Sequence, residues 1–67
     1  MQKHHFKGMF MFQRELYILY SYAYTKEQAF LLMCRRIAKK QGVNVRMVIN
    51  YFKGKENSHD IKELIGG

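Results

Sequence analysis

Proline and tryptophan are absent from this 67-residue chain, and cysteine occurs once, at Cys34. A lone cysteine excludes an internal disulfide and any zinc site built on cysteine pairs. Long hydrophobic runs are also missing. The longest charge-free apolar stretch ahead of the first expected helix, Leu16 to Tyr24, has nine residues, against about 20 for a membrane-spanning helix. No apolar signal core or small-residue cleavage site follows the basic N-terminus. These absences predict a soluble, reduced, cytoplasmic protein with no membrane partner. What is present is globular in character: 48% apolar and 15% aromatic residues, too hydrophobic for a disordered tail. So short a chain buries only about 60% of its unfolded surface, so its core needs tight packing, dimerisation or a larger partner.

Acidic residues are scarce and unevenly placed. None occurs between Glu27 and Glu56, a window that holds Arg35, Arg36, Lys39, Lys40, Arg46, Lys53 and Lys55. The other five basic residues, Lys3, Lys7, Arg14, Lys26 and Lys62, are balanced by five acids, so the whole net charge of +7 sits mid-chain. A merely solvated helix face normally interleaves acids as i,i+4 partners. Their absence points to a polyanion or an acidic surface as partner.

The pattern predicts one α+β domain over residues 1–67. Residues 9–24, rich in Phe, Tyr, Leu and Ile, suit a strand, or a hairpin turning around Gln13–Glu15. Leu16, Leu19, Tyr20 and Ala23 also share one helical face, the competing reading. Thr25, with Gln28 three residues on, forms a capping box for a helix over 26–41, and Gly42 supplies its left-handed stop. Ala29, Phe30, Met33, Cys34 and Ile37 make an apolar arc on that helix, with Arg35, Arg36, Lys39 and Lys40 opposite. Residues 43–52 alternate as a strand would, yet Val45, Val48, Ile49 and Phe52 keep helical spacing. Asn44 as cap and Gly54 as stop favour a helix over 45–53. Ser58 as cap, Asp60 in the first turn, and Ile61, Leu64 and Ile65 on one side predict a short helix over 59–65.

The run Arg36-Ile37-Ala38-Lys39-Lys40-Gln41-Gly42-Val43-Asn44-Val45-Arg46-Met47-Val48-Ile49-Asn50-Tyr51-Phe52-Lys53-Gly54-Lys55 resembles the helix-turn-helix of small bacterial and phage repressors. The resemblance implies that Ala38 lets the second helix approach and that Gly42 makes the turn, with Val43 plugging it. It also implies that Val48 and Tyr51 hold the recognition helix on the core. It departs from the pattern at Gln41, where an apolar residue is usual, and at Ile49, where a DNA-facing polar one is. The first helix is also longer than usual, and an aromatic strand stands where those repressors have a leading helix. The resemblance implies duplex DNA as partner, with Arg46, Asn50 and Lys53 at i, i+4, i+7 reading base edges. Arg35, Arg36, Lys39, Lys40 and Lys55 would then contact phosphates. It also implies a homodimer, for which 9–24 could supply the interface, by edge pairing or an aromatic patch; the simpler reading of those aromatics is that they make up most of the core.

Two alternatives stay open. One is an RNA-binding or ribosome-associated α+β protein stacking bases on Tyr17, Tyr20, Tyr22 or Tyr24. The other is a phage- or plasmid-type inhibitor whose basic face docks an acidic protein. Enzymatic chemistry has no candidate residues: His4, His5 and His59 lie near the ends, Cys34 falls on the apolar arc, and the carboxylates are scattered. No cofactor or metal is expected.

Overall fold

The computed structural model describes residues 2–54 and 59–65. The elements run β1 (His4–Phe12), β2 (Glu15–Ala23), α1 (Lys26–Gln41), α2 (Val45–Lys53) and β3 (His59–Glu63). The class is α+β: a three-stranded antiparallel sheet in the order β2-β1-β3, with both helices on one side.

The expected hairpin forms, but it starts earlier, at His4 rather than residue 9. Gln13 and Arg14 alone connect the strands, with φ of 49° and 68°. Left-handed conformation at both central residues matches the right-handed twist of a two-residue hairpin. Strand alternation divides the side chains. Phe6, Gly8, Phe10 and Phe12 of β1 face inward, as do Tyr17, Leu19, Ser21 and Ala23 of β2. The intervening residues face the other way.

Helix α1 has the expected ends. Thr25 Oγ1 accepts from the Gln28 amide at 3.1 Å, and Gln28 Oε1 reaches back one residue further than a capping box would, accepting from the Tyr24 amide at 2.7 Å. Gly42 closes the helix at φ 69°, and the Val43 amide donates to the Ala38 carbonyl at 3.0 Å. Ala29, Met33, Cys34, Ile37 and Ala38 are buried. Residues 43–52 are not a strand: Asn44 Oδ1 accepts from the Arg46 amide at 2.8 Å and starts α2.

The C-terminal segment corrects the sequence reading. Residues 59–63 form a strand paired antiparallel with β1, His59 opposite Phe10 and Ile61 opposite Gly8, rather than a helix over 59–65. Local capping signals lose here to the unsatisfied second edge of β1, which a strand covers and a helix could not. The expected cap, Ser58, lies outside the described residues. Asp60 lies on the outer face of the sheet, 3.7 Å from Lys62 Nζ.

The core lies between sheet and helices. Phe10, Phe12, Met33, Ile37, Val48 and Phe52 are its largest fully buried side chains apart from Cys34. Phe10 meets Phe52 edge to face at 5.0 Å, a preferred aromatic geometry. His59 is not a frayed terminal residue: its ring stacks on Phe10 at 5.7 Å and 7°. His4 Nδ1 sits 2.8 Å from Glu63 Oε2, tying the start of β1 to the end of β3.

Candidate nucleic-acid interface

The connection between α1 and α2 is short, only residues 42–44. Ala38, 4% exposed, is the small side chain beside it, and Val43 and Val45 pack against the core. Helix α2 then buries Val48 and Phe52, with Val45, Ile49 and Tyr51 partly covered. That fixes its opposite face by the 3.6-residue period. Arg46, Asn50 and Lys53 all lie exposed on that face.

Two of the departures from the helix-turn-helix pattern, those at Ile49 and Gln41, have a local cause. Ile49 does not point to solvent but packs partly against the core. Gln41 is polar because its side-chain amide donates to the Tyr17 hydroxyl and, at 3.3 Å, to Glu15 Oε2. The Tyr17 hydroxyl in turn donates to Glu15 at 2.7 Å. The Glu15 carboxylate holds that proton and raises the Tyr17 pKa, while the Gln41 amide acts in the opposite sense.

The four basic residues in the second half of α1 are all exposed, but they divide into two stripes. Arg36 and Lys40 lean onto β2. The Arg36 guanidinium donates to the Tyr20 carbonyl at 2.6 Å, and Lys40 Nζ lies 5.5 Å from the centroid of the Tyr17 ring. Arg35 and Lys39 form the second stripe, one turn apart on the solvent side. Lys55 lies outside the described residues.

One exposed residue was not singled out from the sequence. Met47, 48% exposed, flanks Arg46 on α2 and offers an apolar contact beside the polar ones. Its signal was available, since Met47 falls outside the buried set Val45, Val48, Ile49 and Phe52 once a helix is assumed. The tyrosines also separate by parity. Tyr17 is buried and turned inward, which removes it from any base-stacking row, whereas Tyr20, Tyr22 and Tyr24 are exposed.

Cys34 is fully buried, and desolvation pushes its thiol pKa up to about 12, so it is a packing residue and no nucleophile at neutral pH. No group of three or more His, Cys, Asp or Glu side chains among the described residues is placed to hold a metal ion. No helix among the described residues is long and apolar enough to cross a membrane. The chain matches no protein-family profile, no curated protein and no solved structure.

Proposed function

We propose that this protein is a small DNA-binding regulator that acts in the cytoplasm through a helix-turn-helix-like unit, α1–turn–α2. The observation that carries the reading is the orientation of α2. Its apolar side is consumed by the core, and Arg46, Asn50 and Lys53 are left exposed together. Those are suitable types for the major groove: Arg pairs with guanine O6 and N7, Asn with adenine N6 and N7, and Lys with guanine or phosphate. Met47 adds an apolar contact suited to a thymine methyl. Arg35 and Lys39 would contact the backbone as α1 crosses it, with Arg36 and Lys40 adding positive potential from the β2 side. The missing acids between Glu27 and Glu56 keep this surface uncompensated.

The test is fluorescence anisotropy with labelled duplex DNA, single-stranded DNA and RNA hairpins across a salt series. Duplex is expected to bind tightest. With seven phosphate contacts at most, the log–log salt slope approaches about −6 at roughly 0.9 per contact. Arg46→Ala with Asn50→Ala should flatten sequence preference, while Arg35→Ala with Lys39→Ala should reduce the slope by about two. Preference for RNA or single strands, or no binding at physiological salt, overturns the reading.

A further inference from the structure

We propose that the outer face of the sheet is a self-association surface, on which a second copy of this chain docks face to face. Four rungs of the hairpin build that face. His5 stands opposite Tyr22, Lys7 opposite Tyr20, Met9 opposite Ile18 and Met11 opposite Leu16. No element of the described chain covers it. Met9, Met11, Leu16, Ile18, Tyr20 and Tyr22 are between 41% and 62% exposed.

The exposed area is large for a monomer. Side chains of this size carry roughly 200 Å² each, so six of them half exposed present on the order of 600 Å². That is at the top of what a monomer normally leaves open, about 300–600 Å². It also approaches the roughly 800 Å² per partner of a standard interface. Composition agrees, because Met and Tyr concentrate at interface centres while charges move to the rim. Tyr22 is already ordered: His5 stacks on it at 4.4 Å and 13°, so docking would cost little of its rotamer freedom.

Charge selects a second copy as the occupant. The outer face carries Lys7, Lys62 and Asp60, and Lys62 and Asp60 lie within 3.7 Å of each other. One net positive charge therefore remains on it, with Lys3 beside its end over the Tyr24 ring, while Arg35, Arg36, Lys39, Lys40, Arg46 and Lys53 all lie on the helices. This is the surface on which two strongly basic molecules meet with least repulsion. Packed sheets sit about 10 Å apart, and each helix layer lies about 10 Å behind its sheet. The two basic layers would thus be about 30 Å apart, several times the Debye length of about 8 Å at physiological salt.

The open edge of β2 points to face pairing rather than edge pairing. Arg36 occupies the Tyr20 carbonyl there, and edge-to-edge extension of the sheet would have to displace it. Face pairing leaves that contact and the α2 surface untouched, so self-association is independent of the DNA-binding reading.

Sedimentation of nuclease-treated, high-salt-washed protein across the micromolar range tests it. The expected result is a reversible monomer–dimer equilibrium that tightens as salt is raised. Ile18→Thr keeps a β-branched residue and Tyr22→Thr alters the most exposed tyrosine of the face, so both should retain the far-UV spectrum while weakening the dimer about tenfold. Leu31→Ala, at an equally exposed apolar position on α1, should leave it unchanged. A monomer at every concentration and salt overturns the proposal, as does association that salt abolishes, open-ended aggregation without a dimer plateau, or equal weakening by Leu31→Ala. Should Tyr22→Thr instead weaken RNA binding by a chain that remains monomeric, the face serves unpaired bases and the proposal falls.

Discussion

Gly8 sits in the middle of the central strand, in the inward row Phe6, Gly8, Phe10, Phe12, and its missing side chain is where Met33 of α1 fits. A Cβ at that position would collide with Met33 Sδ and stand 2.6 Å from Phe10 Cε2 and 3.2 Å from Met33 Cε. Met33 is fully buried and has no route to solvent, so the collision must be absorbed by the core. Gly8→Ala therefore sets two effects against each other. Lower unfolded-state entropy favours alanine by about 0.4–1 kcal/mol, and overpacking costs about 1–3 kcal/mol. Overpacking wins, with a net loss of about 1–2 kcal/mol and, in a domain this small, a Tm fall on the order of 5–15 °C. Met33→Ala alone should cost about 2–5 kcal/mol by leaving a cavity. In the double variant the Cβ occupies part of that cavity, so the combined loss should fall short of the sum by about 1 kcal/mol. Urea denaturation of the four proteins followed by circular dichroism measures the cycle. Stabilisation by Gly8→Ala, or additivity within about 0.5 kcal/mol, would refute the packing account.

Further predictions concern the turn, the cap and the thiol. Gly42 has φ 69°, and no atom stands within 4 Å of where a Cβ would project. Gly42→Ala should therefore cost about 1–2 kcal/mol through backbone conformation alone, and Gly42→Asn less, in the same denaturation assay. Asn44→Ala removes the acceptor for the Arg46 amide and should cost about 1 kcal/mol. For Cys34, the folded pKa of about 12 lies above the unfolded value near 9.0, so the folded state holds the proton longer. The associated stability is complete below pH 9 and is lost as pH rises toward 12. Cys34→Ala should show a shallower decline in stability above pH 9, and the native thiol should resist alkylation until the chain is unfolded.

The parts of the fold legible in the sequence are those governed by local chemistry. Thr25 with Gln28, and Gly42 after Gln41, mark α1 because caps act over three or four residues. Asn44 likewise settles the ambiguous period of 43–52 in favour of a helix. The hairpin was visible in the aromatic alternation, but its first residues were not, since His4, His5 and Lys7 are polar and only pairing with β2 makes them strand. β3 was hidden for a related reason: Ile61 is its only buried apolar residue, and the force that extends it comes from an edge about fifty residues away in the chain. On the candidate site, spacing alone put Arg46, Asn50 and Lys53 on one face. The division of the α1 cations was not readable, because it depends on where Tyr17 and Tyr20 fall in the register. The stretch 9–24 was readable as a candidate interface, but not which of its residues share the outer face, since those become contiguous only after Met9 meets Ile18 and Met11 meets Leu16.

If α2 is the surface that meets duplex DNA, a titration of isotope-labelled protein with duplex DNA will show it in the amide chemical shifts. Perturbations should concentrate at residues 44–53 and on the Arg35 and Lys39 side of α1. The amides of β1 and β2 beneath the outer sheet face should stay unmoved. Perturbations concentrated at Tyr20, Tyr22 and their β1 partners, with α2 silent, would contradict it.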